Sequence, residues 1–192
     1  MGSVDFNPTM IVFAGNNGSG KSTFRSIITE KHGILLNIDP DALARKYTAN
    51  PELKAGRDSI KLVQEQIIRS QDFSIETTLS GNLPLRQMEQ AKKAGYEIIM
   101  YYLGIENIEI NIDRIALRVR NGGHHIPTED VLRRKDRSIK NLLKCIHLVD
   151  SIYLVDNTDF NAQIIAEIEN GELIYFKENS PQWIIPILSE LK

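Results

Sequence analysis

Residues 15–22 read Gly-Asn-Asn-Gly-Ser-Gly-Lys-Ser, a full match to G-x-x-x-x-G-K-[S/T], between the apolar run Met10–Ala14 and an amphipathic stretch from Ser22 to Lys31. No other feature of the chain constrains its fold as strongly. The pattern works when a strand delivers a glycine-rich turn to the start of a helix, so it demands an α/β setting. Glycines at 15, 18 and 20 let successive backbone N–H groups turn inward as an anion nest, and the helix that follows adds its positive end. Gly15, Asn16, Asn17, Gly18, Ser19, Gly20, Lys21, Ser22 and Thr23 are therefore the expected triphosphate-binding residues. In such a loop the lysine, here Lys21, reaches the β- and γ-phosphates, and the hydroxyl of Ser22 is the expected Mg²⁺ ligand.

Along the rest of the chain, short apolar runs alternate with amphipathic segments, the pattern of a mainly parallel sheet flanked by helices. Strands are expected at Met10–Ala14, Ile34–Ile38, Phe73–Glu76, Glu97–Leu103 and Ser151–Val155. Helices are expected at Gly20–Lys31, Ser59–Ser70, Pro84–Ala94, Ile108–Arg120 and Thr128–Leu148, with Gly95 closing the third as a C′ glycine. Asn170-Gly171 between two apolar runs is a hairpin turn, and Pro181–Leu191 reads as a closing helix that packs Trp183 on the core. The expectation is one α/β domain over residues 1–192, a P-loop NTPase of the nucleotide-kinase kind. Its core (about 10–158) holds a parallel five-stranded sheet, followed by a small C-terminal β-hairpin and helix (160–192); Met1–Pro8 reads as a flexible lead-in.

Composition narrows the class. A formal net charge of −2 supplies no global field toward nucleic acid or an anionic membrane, and neither is an expected partner. No apolar run approaches the roughly 18 residues that span a bilayer, and no targeting signal is visible, so a cytoplasmic enzyme is expected. The lone Cys145 sits among Leu142, Leu143 and Ile146 and reads as a core residue rather than a nucleophile.

In a parallel α/β sheet, ligands bind beyond the carboxyl ends of the strands. There this sequence sets Asn37-Ile38-Asp39-Pro40-Asp41 and Ile75-Glu76-Thr77-Thr78-Leu79-Ser80-Gly81, beside the phosphate loop. Asp39 or Asp41 suits a helix N-cap, and Glu76 suits a surface ion pair; equally, one carboxylate suits a general base and another a ligand for Mg²⁺ or for substrate hydroxyls. Basic residues crowd one segment, with Arg114, Arg118 and Arg120 before Asn121-Gly122-Gly123-His124-His125-Ile126-Pro127 and Arg133, Arg134, Lys135 and Arg137 after it. The glycine pair and flanking helices suit an arginine-rich lid over about 118–137, which would expel water and offset charge during phosphoryl transfer. A solvated basic face is the other reading. One of the two histidines is expected to touch substrate or nucleotide, and zinc is not expected there.

Together the phosphate loop, Ile38-Asp39-Pro40-Asp41, Glu76-Thr77-Thr78-Leu79-Ser80-Gly81 and the segment Arg118–Pro127 resemble zeta-toxin-type P-loop kinases, over roughly residues 10–158. The resemblance implies a kinase that uses ATP and Mg²⁺ to phosphorylate a hydroxyl, as zeta toxins do on UDP-N-acetylglucosamine. It implies Lys21 as the phosphate-loop lysine, Asp41 as catalytic base and Arg118 as a transition-state cation, with Arg133 or Arg134 as the second. It also implies that Glu76 and Thr78 hold the acceptor, that Asn157 of Asp156-Asn157-Thr158 lies near the base, and that a small helical antitoxin is a partner; from the residues themselves, Asp39 and His124 are further expected substrate-binding residues. The toxins carry a lid arginine where this chain has Gly-Gly-His-His, and an arginine where it has Ser80, so the acceptor pocket differs from theirs.

Two other activities fit a phosphate loop. An ATPase engine needs an apolar strand ending in Asp-Glu and an L-S-G-G-Q signature; Leu79-Ser80-Gly81-Asn82 is a fragment of the second, and the first is missing. An ATP-binding switch that acts through a protein partner is the remaining alternative.

Overall fold

The structure is a computed structural model that describes residues 7–159 and 161–191. Its centre is β1 (Thr9–Ala14), buried on both faces, which delivers the glycine-rich loop to α1 (Lys21–His32). β1 pairs in parallel with β3 (Phe73–Thr77) on one side and β4 (Glu97–Gly104) on the other; β2 (Asn37–Ile38) and β5 (Ser151–Asp156) extend the parallel run at either end. Near-continuous apolar strands such as Thr9–Ala14 are what a sheet covered on both faces requires.

The hairpin does not stand apart from this sheet. β6 (Gln163–Glu169) pairs antiparallel with β5, and β7 (Glu172–Phe176) pairs with β6, giving one seven-stranded sheet in the order β2-β3-β1-β4-β5-β6-β7. The five expected parallel strands and the C-terminal hairpin are all present, and the hairpin extends the same sheet to seven strands. β5 is the last parallel strand, and its free ladder groups are satisfied by the next strand in the chain.

Helices α3 (Pro51–Arg69), α4 (Leu83–Lys93), α6 (Thr128–Cys145) and α7 (Ile185–Glu190) cover one face, where Met10, Val12, Met100, Leu142, Leu154 and Ile187 share the main core. On the other face Phe24 and Ile28 of α1 pack over Ile11, Phe13, Tyr101 and Leu103. α5 (Ile108–Arg120) leans on α6 through a small cluster of Ile115, Ile126 and Val131. Cys145 lies in the main core, and burial pushes its thiol pKa up to about 12, so it is inert at neutral pH.

Several boundaries move for local reasons. The second strand is short because the Ile34 amide donates back to Thr29 O, closing α1, so pairing starts only at Asn37. α3 begins eight residues before the expected Ser59, at Pro51, a residue whose fixed φ and missing N–H suit the first helical turn. A five-residue helix, α2 (Pro40–Ala44), was not expected; Asp39 is its N-cap. The closing helix splits into a 3₁₀ turn at Gln182–Ile184 and α7, while Trp183 packs on the core as expected. Most of the expected lead-in, residues 1–6, lies outside the described residues.

Candidate active site

The glycine-rich loop turns at the carboxyl end of β1, and its shape is held by side chains from distant elements. A Cβ on Gly20, whose φ is +89°, would lie 2.2 Å from Asn157 Nδ2, and one on Gly18, at φ +76°, would lie 2.5 Å from Asn111 O. Those close approaches carry bonds: Asn157 Nδ2 donates to Ser19 O (2.8 Å), and Asn111 Nδ2 donates to Asn17 O (2.7 Å). Asn16 Nδ2 donates to Val131 O of α6 at 3.0 Å. The side chains of Asn16, Asn111 and Asn157 thus brace the loop, whose own Asn17 and Ser19 amides donate to Asn16 Oδ1 and Asn16 O. Ser22 and Thr23 fall in the first turn of α1, both exposed.

Lys21 is buried and donates to Asn16 O at 3.0 Å. Burial lowers its pKa, while the nearby carboxylates Glu76, Asp41 and Asp39 pull the other way and Arg118 adds to the lowering. One buried cation thus faces three acids gathered from two strand ends, as an α/β sheet with this loop would have them.

The three acids differ in what holds them. Asp39 Oδ1 accepts the Asp41 and Ala42 amides at 2.9 and 3.2 Å, so this acid caps α2, the first of the two readings. Burial raises its pKa, and Glu76 raises it further. Glu76 Oε1 accepts from the Ser22 hydroxyl at 2.8 Å, and Oε2 pairs with Arg25 Nε at 3.2 Å. Asp41, in the first turn of α2, lines the same cavity as Asp39 and Glu76.

Two cavities meet at Asp41, Ala44, Glu52 and Arg134. One, of about 280 Å³, is walled by Lys21, Asp39, Glu76, Thr78 and Ser80. The other, of about 340 Å³, is walled by Tyr47, Arg118, His124 and Ile126. Thr78 and Ser80 share a hydroxyl–hydroxyl bond at 2.9 Å. Their turn is carried by Leu79, which is fully buried at φ +55°, a conformation that costs a non-glycine residue roughly 1 kcal/mol or more and marks a constrained site. Buried Asn141 of α6 donates to Leu79 O (2.8 Å) and Gly81 O (3.3 Å), which holds that turn open.

The arginines separate. Arg134 Nη1 donates to Asn17 Oδ1 at 2.9 Å and lines both cavities. Arg118 donates to His124 O at 3.2 Å and lines the second cavity. Arg133 is not brought to this group: it lies on the exposed side of α6 and pairs with Asp130 at 2.6 Å. Arg114, noted from sequence only as one of the crowded basic residues, donates to Asn157 O (2.9 Å) and Thr158 O (3.3 Å) and anchors the turn behind the loop. Glu52, Tyr47 and Asn141 were missed. Glu52 had one signal, an acid in the first turn after Pro51; the other two had none outside the tertiary fold.

A divalent cation fits this donor set. Among the described residues no group of three His, Cys, Asp or Glu side chains could hold a metal alone. A hydroxyl and a carboxylate 2.8 Å apart beside a phosphate nest match what Mg²⁺ takes: few protein oxygens, with phosphate and water supplying the rest. Among the same residues no helix is long and apolar enough to cross a membrane.

A parallel core with the glycine-rich loop at its central strand, a buried lysine behind it and acids at two neighbouring strand ends define a P-loop kinase or ATPase. The chain belongs to the zeta toxin family, whose sequence profile matches residues 4–165. It is 40% identical over 127 residues to an uncharacterized protein of Haemophilus influenzae, a match covering 64% of this chain and 89% of that one. Among solved structures it is similar to a chain of the PezAT chromosomal toxin–antitoxin system of Streptococcus pneumoniae, with a TM-score of 0.63 and 19% identity over 96% of this chain and 78% of that one. It is also similar to a chain of the AvrRxo1-ORF1:-ORF2 complex solved with ATP, with a TM-score of 0.65 and 13% identity over 99% of this chain and 65% of that one. At such identities both likenesses speak for the fold alone.

Proposed function

We propose that this protein is an ATP- and Mg²⁺-dependent kinase that moves the γ-phosphate onto a hydroxyl of a small molecule, with UDP-N-acetylglucosamine and related nucleotide sugars the first acceptors to test. The observation that carries the reading is the convergence of Lys21, Asp41 and Arg134 on one cavity beside the phosphate loop. Asp41 is the general base: of the three acids it is the one whose carboxylate neither caps a helix nor bonds Ser22. It accepts the acceptor's hydroxyl proton as the oxygen attacks phosphorus in line, and the ADP oxygen leaves on the other side. Lys21, Arg118 and Arg134 offset the negative charge that builds on the transferring group. Ser22, with Glu76 behind it, would hold Mg²⁺, which would supply positive charge to the phosphate oxygens. Thr78, with the capped Asp39 and His124 in the adjoining walls, orients the acceptor.

The protein acts in the cytoplasm and is restrained by a small helical antitoxin over the nucleotide site. Membership of the zeta toxin family supports that partner, as do the complexes of the similar structures, a PezAT toxin–antitoxin system and an AvrRxo1-ORF1:-ORF2 pair. The test is a panel of nucleotide sugars and hydroxylated metabolites incubated with γ-labelled ATP and Mg²⁺. Label on an organic product supports the reading. Label released only as free phosphate, for every acceptor, would move it to the ATPase or switch alternative.

A further inference from the structure

Parallel strands are ordinarily covered on both faces, because the crossovers between them place helices on each side. Here the coverage is lopsided. On the face of β4–β6 that carries α3, α4, α6 and α7, every residue from Ile98, Met100 and Tyr102 across to Ile168 is buried. On the opposite face α1 covers β1 and the near side of β4, where Phe24 tilts over Tyr101 at 5.5 Å, and among the described residues the cover ends there.

One cross-strand row makes the boundary visible. Phe13, Tyr101, Tyr153, Glu167 and Tyr175 are register partners on successive strands, β1, β4, β5, β6 and β7. The first three stack, Phe13 on Tyr101 at 5.7 Å and Tyr101 on Tyr153 at 5.0 Å. Exposure rises along the row: Phe13 0%, Tyr101 6%, Tyr175 44%. Ile99, one row down, is half-buried. From β4 to β7 the strip is three strand spacings wide, about 14 Å, which accommodates one helix of about 10 Å diameter.

Charge says what kind of helix. Glu97, Glu167 and Glu169 surround Tyr153, whose hydroxyl pKa is raised by partial burial and then by these three carboxylates. None of the three forms an ion pair among the described residues. A second copy of this chain laid on the strip would set those glutamates against their own counterparts, a repulsive arrangement, so self-association through this face is disfavoured. We infer that the open strip over β4–β7, with its tyrosine row and three unpaired glutamates, is a docking face for an amphipathic helix of a partner protein whose apolar stripe is flanked by lysine or arginine. The strip lies on the sheet face away from the acceptor turn, so docking leaves the nucleotide cavity accessible. The inference stands apart from the kinase reading.

The probe is a labelled 18-residue helical peptide of leucine and lysine with one apolar stripe, titrated into the full chain by fluorescence anisotropy. The result expected is binding that Glu167→Lys with Glu169→Lys weakens at least tenfold. Glu65→Lys with Glu89→Lys, the same charge change on exposed helix positions of the other face, should alter it less than twofold. Tyr175→Ser, a mild change at an exposed position, should weaken it about fivefold, and hydrogen exchange should slow in β5–β7 on binding. ATP affinity should be the same in all variants. Absence of binding, equal weakening by both double variants, or equal binding of a leucine–glutamate peptide would overturn the inference. So would concentration-dependent dimerisation of the wild-type chain that Tyr175→Ser abolishes.

Discussion

Arg134 Nη1 donates to Asn17 Oδ1 at 2.9 Å, joining residues 117 positions apart. The bond ties α6 to the glycine-rich loop, and the same arginine lines both cavities beside that loop. Its neighbour Arg133 points about 100° away around the helix and meets only Asp130. Arg134→Ala should therefore lower kcat for phosphoryl transfer by about 100-fold or more, on the order of 3 kcal/mol, whereas Arg133→Ala stays within about threefold. Steady-state kinetics of the two variants side by side distinguish an aimed cation from a generally basic helix, which predicts similar losses.

Lys21 supplies a stability prediction with a definite sign. Its folded-state pKa lies below its unfolded value, so the folded protein without ligand binds its proton less tightly than the unfolded chain does. The stability contributed by neutral Lys21 is present above the unfolded value near 10.4 and is lost as pH falls through the folded value. Lys21→Met should raise the melting temperature of the nucleotide-free protein at pH 7, by about 2–4 °C for each kcal/mol of relieved charge burial, and the gain should shrink toward pH 10. The same variant should lose the stabilisation by Mg·ATP, which for the wild type is about 2.7 kcal/mol at a hundredfold excess over Kd. Thermal melts at both pH values, with and without nucleotide, check both halves.

Glu76 bonds the Ser22 hydroxyl and Arg25, which ties it to the proposed Mg²⁺ ligand more directly than to an acceptor. Glu76→Gln keeps the shape and removes the charge. It should raise the Mg²⁺ concentration for half-maximal nucleotide binding by about tenfold, with a smaller change in the affinity for metal-free ATP, both measurable by calorimetry. A variant that shifts acceptor KM alone would return Glu76 to the substrate.

Asn141 secures the acceptor turn from beneath. Asn141→Ala leaves Leu79 O and Gly81 O without their buried donor, a loss of about 1–3 kcal/mol in urea unfolding. Because that turn also carries Thr78 and Ser80, acceptor KM should rise severalfold while ATP affinity is unchanged.

The sequence carried what is local and repetitive. Buried strands are apolar throughout, and β1, β3, β4 and β5 are visible as runs for that reason, as is α5 from its apolar periodicity. The glycine-rich loop is legible because its chemistry is compressed into eight consecutive residues. Joining β6 to β5 was not legible, since a hairpin's own pattern does not say which sheet it extends. The difference between Arg133 and Arg134 is an azimuth on α6 relative to a loop more than a hundred residues away, and charge alone does not encode it. Asp39 and Asp41 shared one motif and both line the cavity, and only the backbone of α2 separates the capping acid from the other. Asn111, Asn141 and Arg114 work entirely through such distant contacts.

The central claim is that Asp41 activates a hydroxyl for attack on the γ-phosphate. The most direct measurement compares label transfer from γ-labelled ATP to an acceptor identified in the panel, for wild type and Asp41→Asn, alongside ATP affinity for both. Transfer should fall by about 100-fold or more in Asp41→Asn, with ATP affinity within about threefold of wild type. Wild-type transfer by Asp41→Asn would contradict that claim.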